Sequence, residues 1–180
     1  LFKALSSERP VAFFEVLRDS HSLSPWFAEL ADVSLEIPEE LNDPTERYAA
    51  LIGPLGAQNA AALGSRIKCQ RDADRLAGLV AVHLTTLRDW QQAEATQLYS
   101  ALQASRAFKK DSQLARVLRV IAALTRKDLT PLLAAAREID DAVQVAQLQQ
   151  QGLAGAALGL GLDAARIALL GEAQRNHAEQ

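Results

Sequence analysis

The sequence predicts an all-α protein, an irregular array of roughly eight to ten helices with short connections. Alanine and leucine dominate the 180 residues, whereas aromatic residues make up only 5% and β-branched residues are sparse. This composition favours helices over strands, because unbranched side chains lose little rotamer freedom in a helix. No repeat of fixed period is present, so we expect a bundle or irregular array rather than a solenoid.

Polar residues followed by proline mark the expected starts of the earlier helices. Asp43-Pro44-Thr45-Glu46 gives the clearest signal, because a capping acid precedes a proline at the first helical position. That helix should continue until Gly53-Pro54 stops it. The same type of signal recurs at Ser7 with Pro10, at Ser24-Pro25 and at Thr130-Pro131.

Helical stripes of apolar residues mark the later segments, over 71–89, 114–124 and 132–143. Four glycines then occur between Gly152 and Gly161, before a run of strong helix formers. We expect a close-packed loop or hinge there, followed by a last helix. The predicted organisation is therefore a helical body over 1–150 and a C-terminal tail helix over 151–180.

The composition also limits the compartment and the class of protein. Cys69 is the only cysteine, so the chain cannot form an internal disulfide, and we expect a reducing, cytoplasmic setting. No window of about 18 apolar residues and no secretion signal is present, which argues against a membrane role. The chain has no initiating methionine and starts as if inside a helix, so we expect a fragment of a longer protein.

Charge is segregated along the chain although the formal net charge is only −3. Between residues 106 and 127 there are seven basic residues and one acid, Asp111. These basic residues are our candidates for phosphate contacts: Arg106, Lys109, Lys110, Arg116, Arg119, Arg126 and Lys127. An acidic patch precedes them, formed by Glu36, Glu39, Glu40, Asp43 and Glu46 and offset by Arg47.

The sequence contains no recognisable catalytic constellation. His21, His83 and His177 have no partners at metal-ligand spacing, and His83 lies on an apolar stripe where a core histidine is the better interpretation. There is no phosphate-binding loop with a lysine and no nucleophile elbow. We therefore expect no catalytic residue, metal site or cofactor in this chain, and a stand-alone enzyme is disfavoured.

Motifs at both ends of the chain resemble a known family. Lys3-Ala4-Leu5 with Pro10 and Phe13-Phe14-Glu15-Val16-Leu17-Arg18 forms the first, and the glycine segment ending in Ala165-Arg166-Ile167 forms the last. Weaker matches lie between them, at Phe27-Ala28-Glu29-Leu30, Arg47 to Gly56, Arg66 to Lys68 and Ala77 to His83. Together these segments are similar to the C-terminal region of bacterial tRNA nucleotidyltransferases, the CCA-adding enzymes, which share a superfamily with bacterial poly(A) polymerases.

The resemblance implies a degenerate HD-like region within 40–127. Some members of the family carry a His-Asp metal pair where this chain has Gly53 and Pro54, and neither residue can ligate a metal through its side chain. The resemblance also implies an upstream catalytic domain, absent from this chain, that uses Mg²⁺ with ATP and CTP. The chain alone would then not be catalytic.

Two functions follow as expectations. The first is a tRNA-binding part that holds the acceptor and T arms while the upstream domain adds CCA, or A, to the 3′ end. The second is a degenerate HD-like module for protein interaction or homodimer formation, with the acidic patch as its contact and no RNA binding. The upstream residues decide the choice among CCA, partial CCA and poly(A).

Overall fold

The computed structural model describes residues 1–150 and 152–178, and every regular element in these ranges is helical. The α-helices are α1 (Phe2–Leu5), α2 (Pro10–Asp19), α3 (Leu23–Trp26), α4 (Pro44–Ile52), α5 (Ala57–Arg66), α6 (Arg71–Arg88), α7 (Ala95–Ala104), α8 (Leu114–Thr125), α9 (Thr130–Ala142), α10 (Val145–Gln150) and α11 (Gly155–Ala178). Two single 3₁₀ turns lie at Ala28–Leu30 and Gly53–Leu55. The all-α prediction is confirmed.

The described residues form two compact units. Unit 1 comprises Leu1–Leu84 and Arg119–Lys127, and unit 2 comprises Thr85–Leu118 and the described residues from Asp128 onward. Two of the three boundaries therefore fall inside α6 and α8, and the third lies between α8 and α9. A separate body over 1–150 and tail over 151–180 remains a prediction.

The core of unit 1 is built on aromatic rings and leucines. Phe14 is fully buried, and its ring meets those of Phe13 and Phe27 edge to face, with centroids 5.2 and 6.0 Å away. Such arrangements bring the positive edge of one ring to the negative face of another. Phe2 and Tyr48 pair in the same unit, with ring centroids 5.4 Å apart. The Phe14–Phe27 contact joins α2 to the residue that follows α3, and the Phe2–Tyr48 pair joins α1 to α4.

Arg47, on α4, binds backbone carbonyl groups at the end of α1 and just after it. Its Nη1 donates to the backbone oxygens of Leu5 and Ser7, at 2.7 and 2.8 Å, and its Nε donates to that of Leu41 at 2.5 Å. Arg47 is only 9% exposed. The guanidinium thus satisfies carbonyl groups at the end of α1 that have no partner inside the helix.

Unit 2 is organised around α11, which packs against α7 and α9. Trp90, Leu98, Leu102, Ile139 and Leu170 are buried in its core. Apolar burial of this kind is the main favourable contribution to folding.

Gln174, on α11, supplies the polar contact of this core. It is 8% exposed, and its Nε2 donates to the backbone oxygens of Trp90 and Ala93, at 2.5 and 2.7 Å. These two acceptors belong to the segment that joins α6 to α7, so one side chain fixes that segment against α11.

The glycine-rich segment differs from its predicted form. Helix α11 already begins at Gly155, so Gly159 and Gly161 lie inside it rather than in a loop. Gly161 serves packing rather than a turn, because a Cβ at position 161 would lie 2.8 Å from Leu153 Cδ1. Glycine leaves room there for the turn between α10 and α11 to fold onto the helix.

A membrane-spanning helix would need both length and continuous apolar character. None of the helices within residues 1–150 and 152–178 has both.

Candidate nucleic-acid interface

The seven basic candidates are divided between the two units. Arg106, Lys109, Lys110 and Arg116 lie in unit 2, and Arg119, Arg126 and Lys127 lie in unit 1. All are solvent-exposed except Arg116, which is half-buried.

The unit 2 candidates lie mainly on the segment between α7 and α8, residues 105–113, here called the basic loop. Helix α7 ends with a bond from Ala107 N to Leu102 O and another from Arg106 N to Gln103 O, both 2.9 Å. This is the Schellman arrangement, and it places Arg106 at φ 55°, where glycine is usual. A cation at this position is favoured by the negative end of the helix dipole.

The basic loop is closed by its own bonds. Gln113 N donates to Ser105 O at 2.9 Å, which ties the two ends together. Arg106 pairs with Asp111, with Nη2 and Oδ1 2.7 Å apart, so part of its charge is neutralised inside the loop. Lys109 and Lys110 are exposed, and neither has an acidic partner within 4 Å among the residues that the structure describes.

Phe108 anchors the basic loop to the helices of unit 2. Its ring stacks on that of Tyr99, on α7, with centroids 5.9 Å apart and planes inclined by 26°. The guanidinium carbon of Arg166, on α11, lies 4.2 Å from the centroid of the Phe108 ring. That distance is well within the range of a cation–π contact.

Polar contacts hold the two partners of Phe108. The Tyr99 hydroxyl donates to Asp163 Oδ1 at 2.5 Å, and Gln103 Nε2 donates to the same hydroxyl at 3.2 Å. Burial, followed by the bond to Asp163, raises the pKa of Tyr99 above its ordinary value. Arg166 donates from Nη2 to Asp140 Oδ1 at 3.1 Å.

Sequence reasoning did not assign Phe108, Tyr99 or Asp163 to the site. Arg166 stood in the C-terminal motif, but its role could not be read there, because its aromatic partner lies 58 positions earlier in the sequence. A single aromatic residue within a basic segment was the available signal.

On α8, the two candidate arginines have partners. Arg119 Nη1 lies 2.9 Å from Glu46 Oε1, and the Glu46 side chain is only 4% exposed. Arg119 is therefore the counter-ion of a buried carboxylate, although 60% of its own side chain remains exposed. Arg116 donates from Nη1 to Gln113 Oε1 at 3.2 Å.

The end of α8 lies near acidic residues of unit 1. Arg126, at φ 55°, lines an open hollow of about 490 Å³ together with Glu36, Glu39 and Glu40. These three acids are exposed. Their negative field opposes phosphate binding at Arg126.

The rest of the acidic patch has structural roles. Asp43 caps α4, and its Oδ1 accepts from Thr45 N and Glu46 N at 2.8 and 3.1 Å. Glu46 pairs with Arg119.

Gly53 and Pro54 form a 3₁₀ turn directly after α4. Gly53 is buried, and a Cβ built on it would overlap Val80 Cγ1 of α6. A larger side chain at position 53 therefore requires Val80 to move. Across residues 1–150 and 152–178, no three His, Cys, Asp or Glu side chains group in a way that could hold a metal ion.

Two curated proteins are similar to this chain. The CCA-adding enzyme of Pseudomonas putida strain F1 and the Multifunctional CCA protein of strain KT2440 are each 30% identical over 189 residues. Each match includes 96% of this chain and 50% of the relative, so the chain spans about half the length of the curated relatives it matches. No family model and no solved structure matches. The chain is thus similar to about half of each of these two CCA proteins.

Proposed function

We propose that this chain is the helical, tRNA-holding part of a CCA-adding enzyme. It would bind the acceptor and T arms of tRNA in the cytoplasm, while a catalytic domain outside this chain adds nucleotides with Mg²⁺, ATP and CTP. The observation that carries the proposal is the match of nearly the whole chain to half of two CCA proteins. A degenerate HD-like scaffold over 40–127 is part of the same proposal.

The charges of the seven basic candidate residues favour RNA binding at one part of the surface rather than over the whole chain. The net charge of −3 would repel a polyanion, so binding requires cations that are concentrated and not already neutralised. Duplex RNA is recognised mainly through its shape, phosphates and 2′-hydroxyls, for which lysines on a fixed surface are suitable.

The contacts of the candidate cations indicate which of them acidic residues already neutralise or surround. Arg106 is paired with Asp111, and Arg119 is paired with Glu46. Arg126 lines a hollow with three glutamates. We therefore assign the leading phosphate contacts to Lys109 and Lys110, with Arg106, Arg116, Arg119, Arg126 and Lys127 as supporting cations.

The test is binding of fluorescent tRNA to this chain over a range of salt concentrations. Replacing Lys109→Glu together with Lys110→Glu should weaken binding by about tenfold or more at 0.1 M salt. The slope of log K against log salt should become shallower by roughly 1.5 to 2, because about two counterions fewer are released.

The matched control is the double change Arg137→Glu and Arg175→Glu, which alters the net charge equally. Both arginines are exposed residues of unit 2 outside the candidate set. This control should keep the wild-type slope. Equal weakening by both double variants would mean that only net charge matters, and it would refute the assignment to Lys109 and Lys110.

A second function is favoured by the exposed glutamates of the acidic patch. Glu36, Glu39 and Glu40 project around one hollow and would suit a basic protein partner or a second copy of the chain. Sedimentation velocity distinguishes the two functions. A dimer that has no affinity for tRNA, and that dissociates when these glutamates become glutamines, would favour the interaction module.

A further inference from the structure

The backbone of the basic loop is fixed around its lysines. Lys109 N donates to Arg106 O at 3.1 Å, and Lys109 O accepts from Ser112 N at 3.1 Å. With the closing bond from Gln113 N to Ser105 O, the backbone on both sides of Lys109 and Lys110 is held. The backbone that carries the two lysine side chains therefore has a fixed conformation.

The loop has one half-buried aromatic anchor, Phe108, directly before the two lysines. Its partners come from two different helices, Tyr99 from α7 and Arg166 from α11. These contacts restrain the Phe108 side chain and limit movement of its Cα, which lies at a fixed separation from the Cα of Lys109. The anchor and the lysines are thus mechanically linked.

Arg166 is held in a way that favours its contact with Phe108. The Arg166 side chain is 17% exposed, and one nitrogen, Nη2, reaches Asp140. Its Nε is buried and has no hydrogen-bond partner among the described residues. Leaving a buried donor without a partner is unfavourable, so this placement must be maintained by other contacts of the guanidinium, of which the stack on Phe108 is one.

We propose that Phe108, held by Arg166 and Tyr99, is a positioning residue that presets the basic loop as a two-lysine clamp for the phosphodiester backbone of folded RNA. The inference rests on the proposed function and adds a mechanism to it. A preset loop loses less conformational freedom on binding, so each lysine contributes more of its attraction to the affinity. Helix α11 would thereby control RNA binding without touching the RNA.

The experiment is a double-mutant cycle on tRNA binding by this chain. The variants are Phe108→Ala, the pair Lys109→Ala and Lys110→Ala, and all three changes together. Phe108→Ala should weaken binding by about fivefold, the effect expected when two long side chains must be ordered on binding. In the variant that lacks both lysines, Phe108→Ala should have no further effect, because the positioned groups are gone.

Three further variants separate positioning from stability. Phe108→Tyr keeps the ring and should bind tRNA as wild type, whereas Phe108→Leu keeps apolar volume and should bind like Phe108→Ala. Asp140→Asn weakens only the ion pair of Arg166 and should change binding by less than about twofold. Thermal unfolding of each variant reports whether the fold is kept, and Phe108→Leu replaces Phe108→Ala if the alanine variant unfolds.

The outcomes distinguish the two proposals. If the lysine variant binds tRNA as well as wild type, the assignment of phosphate contacts to the basic loop fails, and the clamp fails with it. If the lysine variant binds weakly but Phe108→Ala has the same effect in both backgrounds, the positioning role is refuted while the tRNA function stands. Loss of the Phe108 effect in the lysine variant supports the clamp.

Discussion

Val80 Cγ1 occupies the space in which a side chain at position 53 would begin. Gly53 follows α4 and Val80 lies in α6, so the absence of a Cβ allows the turn to contact the helix directly. Position 53, where the resemblance implies a lost metal-binding residue, is therefore a packing contact in this chain.

We predict that Gly53→Ala destabilises the protein by about 1–3 kcal/mol, because the added methyl group forces Val80 from its place. Urea unfolding measures the change. Gly78→Ala is the matched control, since nothing lies within 4 Å of a Cβ there and the residue is inside α6. It should stabilise by up to about 1 kcal/mol. The double variant with Gly53→Ala and Val80→Ala should recover part of the stability lost in Gly53→Ala. If the stability changes of the two single variants simply added up in the double variant, the contact between positions 53 and 80 would be contradicted.

The imidazole of His83 should make stability depend on pH. Burial lowers the pKa of His83 below 6.5, in a hollow that also contains Asp74 and Arg75. Between pH 6.5 and the lower folded-state pKa, the unfolded chain binds a proton that the folded chain does not, so stability falls as pH falls. His83→Gln should flatten the dependence of the unfolding free energy on pH in this window. At pH 8 both states are neutral, and only the packing difference should remain. Equal slopes in the two proteins would rule out this assignment.

Cys69 should react slowly with alkylating reagents. Lys68 and Arg71 flank it in sequence, but burial dominates and raises the pKa of the thiol, while the Tyr48 hydroxyl acts in the opposite direction. Because the thiolate is the reactive form, alkylation of the folded chain at pH 8 should be slower than alkylation of the chain in urea. Since Cys69 is the only cysteine, mass spectrometry follows a single site. Faster reaction in the folded state would show that the flanking cations dominate.

Gln174 should be important for the stability of unit 2. Replacing it with leucine removes the donor for the backbone oxygens of Trp90 and Ala93. Leaving buried acceptors without donors should cost about 1–3 kcal/mol in unfolding free energy. Glu172→Ala, an exposed change on the same helix, should stay within about 0.5 kcal/mol. Chemical denaturation compares the two, and similar midpoints would contradict the role of Gln174.

Signals that act over a few residues were sufficient to predict individual elements. Asp43-Pro44 predicted the start of α4 and Gly53-Pro54 its end, and the structure places α4 at Pro44–Ile52 with the Asp43 cap formed. The signal at Thr130 was assigned to the wrong residue, because Asp128 Oδ1 accepts from the Thr130 amide and hydroxyl. Both residues are polar and lie within two positions of the helix start, so spacing alone could not distinguish them.

The contacts of the candidate site could not be predicted in the same way. The partner of Glu46 is Arg119, and the partners of Phe108 are Tyr99 and Arg166. These pairs depend on how distant helices pack, which leaves no regular spacing in the sequence. Composition located the basic segment, but it could not show which cations were already neutralised.

The three carbonyl bonds of Arg47 have a consequence for the order of events during synthesis. Helix α1 has four residues, far fewer than an isolated helix needs in water. Its last carbonyl, at Leu5, is bound by a side chain made 42 residues later. Residues 1–7 therefore cannot reach their final arrangement until Arg47 has left the ribosome, and a nascent chain that ends before this arginine should leave them accessible to proteases.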